Sequence, residues 1–326
     1  MALMFRIILL LMIGCCRLAG AEAAPLRLYL QWRPQAQFAG YYLAEELGFY
    51  REAGLQLELH HLAAHRTPVQ LLADGKADFV SDWLPSAVSR RAAGVPVVSV
   101  GQLMRRSGML LVGSKARGVE TLADLAGRRV GVWVNDFRLG PLCMLLREKI
   151  AFETVPSSGD IELFLWGGCD AMAAMIYSEY FSLLNAGLEP EDLSVFCLDD
   201  YGVPLPGDGI YALEETCRQR PDECRALVEA TRRGWEAAFA DPEKALEAVR
   251  RACRQGDVYY NEAEQRWMLE HLKALYDPPG AAARSQLSRE EYEFVGQMLR
   301  DNGFITGPLP DFAEFAPLAA GAGERE

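Results

Sequence analysis

A basic cluster is missing from this chain: Lys and Arg number 33 against 45 Asp and Glu, for a formal net charge of -12. That excludes the electrostatic footprint of a nucleic-acid binder, and an anionic membrane surface would repel the protein. Histidine is scarce, with only 4, and none of the 8 cysteines falls in a CxxC or at zinc-binding distance from a histidine. No metal or other cofactor is therefore expected. His60 and His61 end a strand, His65 sits in a loop and His271 on an amphipathic helix, all without an evident task. Low-complexity runs are absent from the interior, and beyond the first residues no apolar stretch approaches the ~20 residues of a membrane-crossing helix. Neutral or cationic small molecules remain as partners.

What is present is a globular composition, 50% hydrophobic and 24% charged over 326 residues, enough for two domains or one large one. The opening MALMFRIILLLMIGCC sets Arg6 ahead of an apolar run from Ile7 to Ile13, the pattern of an export signal. Ala19-Gly20-Ala21 or Ala21-Glu22-Ala23 suits an ordinary signal peptidase. Met12-Ile13-Gly14-Cys15 resembles a bacterial lipobox with Met in place of the usual Leu. A signal over residues 1–23 and a soluble mature protein are expected, in the periplasm or otherwise outside the cytoplasmic membrane, with lipidation at Cys15 as the alternative. Export permits disulfides, and Cys217 and Cys224, either side of the Arg220-Pro221 break, could bridge or stay as buried thiols.

Hydrophobic spacing supplies the fold class. Leu26 to Gln31 alternates as a strand, Phe38 to Glu46 has helical spacing, and Leu55 to Leu62 alternates again: a β-α-β unit. A helix over Thr67 to Ala73 and a strand over Ala77 to Ser81 follow. The pattern returns with strands at 129–134, 152–156 and 170–176 and helices at 141–150 and 160–166. QLLADGKADFV and ELFLWGGCDAM share one frame, in which Leu71, Gly75 and Asp78 answer Leu163, Gly167 and Asp170. Two similar α/β halves with mostly parallel sheets are predicted, with a cleft at the carboxyl ends of the strands. Residues 221–299 read as helices wrapping back onto the first half. The tail after Gly307 reads as frayed.

The stretches LQWRPQAQFAGYYLAEELGFYREAGL, LLADGKADFV, GVPVVSV, LADLAGRRVGVW and GDGIYALEE resemble the ABC-transporter substrate-binding proteins of the thiamine-pyrimidine-precursor type. That resemblance spans essentially the whole mature chain. It implies an α/β type II periplasmic binding fold of two Rossmann-like lobes, with 24–108 and 203–326 in lobe 1 and 109–202 in lobe 2. It also implies a monomer that delivers a small, flat, nitrogen-containing heterocycle to the membrane subunits of an ABC permease. A separate signalling partner would make it a sensor instead. The same superfamily includes fungal enzymes that build the thiamine pyrimidine from pyridoxal phosphate. Where the resemblance places their Lys and His, this chain has Asp82 and Ser86, which argues against an enzyme.

Position at strand ends selects the candidate ligand residues. In the loop from Gln31 to Gln37, Trp32 can stack on a flat ring, and Gln35 and Gln37 can supply amide hydrogen bonds. Tyr41 or Tyr42 can reach in from the first helical turn. Equivalent ends contribute Asp82 and Trp83 after the third strand, then Trp133 and Asp136, then Tyr177 and Glu179. Each carboxylate could accept from a ligand amine, or merely cap a helix. Asp208, in the return crossing before Gly209, is a ligand candidate or a turn residue. Arg138 stands apart among these acids, as an anion site or the partner of a neighbouring acid.

Overall fold

The computed structural model describes residues 24–62, 66–276 and 285–320. The export signal with Cys15, His65 and the Asp277-Pro278-Pro279-Gly280 turn lie outside the described residues.

Among the described residues, ten strands form two sheets of five. The first contains β1 (Leu26–Leu30), β2 (Leu57–His61), β3 (Phe79–Trp83), β4 (Val97–Gln102) and β10 (Asp208–Leu213), in the order β2-β1-β3-β10-β4. The second contains β5 (Met109–Ser114), β6 (Arg129–Trp133), β7 (Glu153–Ser157), β8 (Ala171–Met175) and β9 (Leu193–Cys197), in the order β7-β6-β8-β5-β9. In each sheet one strand runs against the rest: β10 is antiparallel to β3 and β4, and β5 to β8 and β9. The reversed strand is always the one arriving from the other sheet. β5 follows β4 through residues 103–108, and β10 follows β9 through residues 198–207, so the halves exchange a strand.

The repeated frame has one structural cause. Asp78 accepts from the Arg27 backbone N–H at 2.9 Å, and Arg27 returns a guanidinium bond to the Gly75 carbonyl at 3.0 Å. Asp170 accepts from the Arg129 N–H at 3.0 Å, and Arg129 reaches the Gly167 carbonyl at 2.8 Å. Each carboxylate thus pins the start of a central strand to the turn before the next one. Gly75 and Gly167 both close that turn at positive φ, 66° and 76°, where a Cβ would be strained.

Two boundaries move. The third strand runs over Phe79–Trp83 rather than Ala77 to Ser81, because the Ala77 N–H is still engaged by the Leu71 carbonyl and pairing with β1 begins at Phe79. Ser81, Asp82 and Trp83 are therefore the strand's last residues. Over its described residues, up to 320, the tail after Gly307 is packed rather than frayed: Phe315 is fully buried and stacks on Tyr292 at 4.7 Å, and the Tyr292 hydroxyl bonds the Pro310 carbonyl.

The helices Pro221–Ala240, Pro242–Gln255, Glu262–Tyr276 and Arg289–Asp301 pack mainly against the helices and the Ala36–Phe38 turn that flank the first sheet. Pro221–Ala240 crosses Ala39–Glu46 with glycine against glycine. A Cβ on Gly234 would lie 2.0 Å from the Gly40 carbonyl oxygen, and one on Gly40 would lie 2.3 Å from the Trp235 ring. This close crossing sets the helix that follows the Gln31–Gln37 loop.

Candidate functional site

The loop after β1 is held from several sides. The Ala36 N–H bonds Gln265 Oε1 at 2.6 Å, and the Trp32 carbonyl accepts from His61 Nδ1 at 2.6 Å. Burial lowers the pKa of His61, so the neutral ring donates through Nδ1 and accepts from the Tyr42 hydroxyl at Nε2, 3.0 Å away. His61, uninformative in the sequence, fixes the loop that carries Trp32.

An inner pocket of about 30 Å³ lies between the two sheets. Gln31, Trp32, Gln35, Gln37 and Trp83 line it from the first half. Trp133, Phe137, Met175, Tyr177, Ser178 and Glu179 line it from the second. The Phe137 ring meets Trp83 at 4.9 Å and Trp133 edge-on at 6.2 Å, joining the two walls. Between these walls the pocket has room for little more than a water molecule. A planar ring enters only if the walls part.

Beneath the pocket lies a buried polar chain. Gln35 donates to Gln37 Oε1 at 2.6 Å, Gln37 donates to Asp208 Oδ2 at 2.8 Å, and Gln31 donates to Asp208 Oδ1 at 2.7 Å. Burial pushes the Asp208 carboxyl up to about 6, against the pull of the two amides. Asp208 opens β10 and is fully buried, so it is no turn residue and does not form the pocket wall. It orients the glutamines that do. Gln31 Oε1 is left without a partner among the described residues, a buried acceptor in a pocket-lining side chain.

Glu179 starts the helix Glu179–Asn185 and accepts from the Met175 N–H at 2.9 Å. Burial raises its carboxyl to about 7. Burial likewise keeps the Tyr177 hydroxyl protonated.

Asp82 and Asp136 face a second, outer chamber of about 620 Å³ at the mouth of the cleft. Asp82 accepts from the Trp83 N–H at 2.8 Å and from Ser86 Oγ at 3.0 Å, and burial pushes it up to about 7. Asp136 crosses the cleft to Arg90 at 2.7 Å. Arg138 makes no ion pair among the described residues; it donates to the Val134 carbonyl at 3.3 Å.

Of the sequence candidates, Trp32, Gln35, Gln37, Trp83, Trp133, Tyr177 and Glu179 converge on the inner pocket, and Asp82 and Asp136 on the chamber. Tyr41 does not reach either: it is fully buried in the core against Phe38, and Tyr42 turns to His61. Gln31, Phe137 and Met175 were missed. Gln31 and Met175 stand at strand ends like the others, but Phe137 reads as ordinary core. Among the described residues lining the two cavities there is no lysine or histidine.

Residues 35–245 match the family described as NMT1/THI5 like. A Haemophilus influenzae protein provisionally named for thiamine biosynthesis is 25% identical over 295 residues, 87% of this chain and 89% of its own. A formylaminopyrimidine-binding protein of Halalkalibacterium halodurans is 25% identical over 240 residues, 69% of either chain. A 4-amino-5-hydroxymethyl-2-methylpyrimidine phosphate synthase of Legionella pneumophila is 28% identical over 243 residues, 70% of this chain and 73% of its own. Among solved structures, the periplasmic aliphatic sulphonate binding protein SsuA of Escherichia coli has a TM-score of 0.67 at 15% identity, covering 90% of this chain and 97% of that one. That likeness concerns the fold, the two-lobed α/β periplasmic binding protein fold with exchanged strands. With the family match running over most of the chain, the protein belongs to the NMT1/THI5-like family.

Proposed function

We propose that this protein is an extracytoplasmic receptor that captures a flat nitrogen heterocycle, of the kind represented by thiamine pyrimidine precursors, and hands it to an ABC permease. The observation that carries the reading is the inner pocket: indole and phenyl walls contributed by both halves, with the Glu179 carboxylate and the unpaired Gln31 Oε1 as acceptors. Aromatic walls suit a planar ring, and acceptors suit its amine N–H groups. Residues 24–108 with 203–326 and residues 109–202 are the two bodies that part and close, with the two crossings as hinges. The formylaminopyrimidine-binding relative supports the ligand class.

The synthase relatives favour a catalytic reading instead. A pyridoxal-dependent step of that kind needs a Schiff-base lysine in the cleft, and Asp82 and Ser86 stand where the resemblance places the enzymes' Lys and His. Binding without chemistry fits these side chains better.

Calorimetric titration with 4-amino-5-hydroxymethyl-2-methylpyrimidine tests the reading. Saturable binding that Trp32→Ala abolishes is expected, together with no new absorption band beyond that of free pyridoxal phosphate when the aldehyde is added. A stable pyridoxal adduct, or heat of binding unaffected by Trp32→Ala, would overturn it.

A further inference from the structure

The outer chamber differs in chemistry from the pocket it adjoins. Where the pocket presents aromatic rings with a few uncharged or acidic polar groups and no cation, the chamber presents guanidinium groups from three separate elements. Arg66 precedes the helix Pro68–Ala73 and is paired through one terminal nitrogen with Asp74 at 3.2 Å, Arg90 lies in the helix Leu84–Ala92, and Arg138 follows β6. Arg90 holds Asp136 through one terminal nitrogen, while its Nε is buried without an acceptor among the described residues. Arg138 has no carboxylate within ion-pair distance among the described residues. Asn135 engages its side-chain oxygen with the Phe137 N–H at 3.1 Å, which leaves its amide nitrogen as the free end. Two acids line the chamber as well. Asp136 is already paired with Arg90, and Asp82 turns its two oxygens onto the Trp83 N–H and the Ser86 hydroxyl. The cleft therefore differs from end to end, with its guanidinium groups gathered at the mouth and none lining the inner pocket, and Trp32, Trp133 and Phe137 line both cavities.

Resting on the ring-binding reading above, we propose that the chamber is an anion subsite. The ligand carries a phosphate or carboxylate group that Arg138, Arg90 and Arg66 hold while its ring occupies the inner pocket. A guanidinium fork matches either anion through paired N–H bonds, and Arg90 Nε gains the acceptor it lacks.

The test compares three probes by calorimetry at fixed ionic strength: 4-amino-5-hydroxymethyl-2-methylpyrimidine, its phosphate ester, and the analogue with a carboxylate on the same carbon. One or both anions should bind about tenfold tighter than the alcohol, a difference of about 1.4 kcal/mol. The tighter of the two identifies the group. That advantage should shrink towards onefold in Arg138→Ala and Arg66→Ala and persist in Arg225→Ala, on the exposed side of a distant helix. An alcohol that binds as tightly as both anions overturns the subsite and leaves the ring reading standing. An anion advantage that survives both chamber variants overturns its assignment to these arginines. No binding of any probe overturns both proposals.

Discussion

Gln37 donates its side-chain amide to Asp208 at 2.8 Å, so the loop after the first strand is tied to the opening residue of the last one, 171 positions away. Gln31 makes the matching bond to the other carboxylate oxygen at 2.7 Å. An ionised carboxylate only accepts, so both glutamines must present nitrogen to it, and the Gln31 oxygen is turned to the pocket by default.

Asp208→Ala leaves two buried amide donors unpaired, each costing roughly 1–3 kcal/mol. Urea unfolding of the ligand-free protein should show a loss of at least about 2 kcal/mol, with Asp208→Asn intermediate because its amide accepts at one atom only. Both variants unfolding at the wild-type midpoint would mean the network carries no net energy.

Stability should fall as pH rises towards and past neutrality. Asp82 and Glu179 are raised to about 7 and Asp208 to about 6 in the folded protein, whereas unfolded carboxyls titrate near 4. Between those limits the native state binds more protons than the unfolded state, so the stabilisation is fully present below about pH 4 and is lost through about pH 6–7. Glu45, Asp199 and Glu264 are raised by burial too and act in the same direction, while His61, lowered by burial, opposes them below the ordinary histidine value of about 6.5. The melting temperature should therefore drop from about pH 5.5 to about pH 8, and Asp82→Asn should flatten the drop. A melting temperature that climbs over this interval contradicts the assignment.

Gly234→Ala should be among the most damaging single-methyl additions in the molecule. The new Cβ would sit 2.0 Å from a backbone oxygen, which cannot rotate away, so the helix crossing must open. Overpacking of this kind costs about 1–3 kcal/mol or more. Gly54→Ala, where a Cβ meets nothing but φ is positive, separates steric from conformational cost. Equal losses in the two would show that the crossing is not under steric control.

Cys217 and Cys224 face each other as buried thiols with their sulfurs 3.7 Å apart, at the junction of the helices Glu214–Gln219 and Pro221–Ala240. Oxidised glutathione should join them by thiol–disulfide exchange, the two protein thiols giving up two hydrogens and the glutathione disulfide becoming two thiols. Alkylation after unfolding should then count two fewer free thiols, in Cys143→Ser as in the wild type but not in Cys217→Ser. The short closed loop predicts a gain of about 2–3 kcal/mol. A full thiol count after oxidation rules the bridge out.

The sequence alone determined the α/β class, the repeated half and the strand ends that carry Trp32, Trp133 and Glu179. Those features rest on local periodicity and on Gly and Asp at fixed offsets, which act within one β-α-β unit. It did not mark β4, β5 and β10 by alternation, because these strands are buried almost throughout and a continuous apolar run has no period. The two crossings followed only from the family resemblance, and tertiary structure alone decided that Asp208 ends beneath Gln31 and Gln37. It alone sent Tyr41 into the core while Phe137 closes the cleft. Facing in or out by a single helical position depends on what packs opposite, and around Tyr41 that includes Asp208 and Tyr211, which arrive with β10 from a different part of the chain. The polarity of the cleft was hidden for the same reason: its arginines and its acceptors come from segments far apart in sequence that meet only when the two sheets face each other.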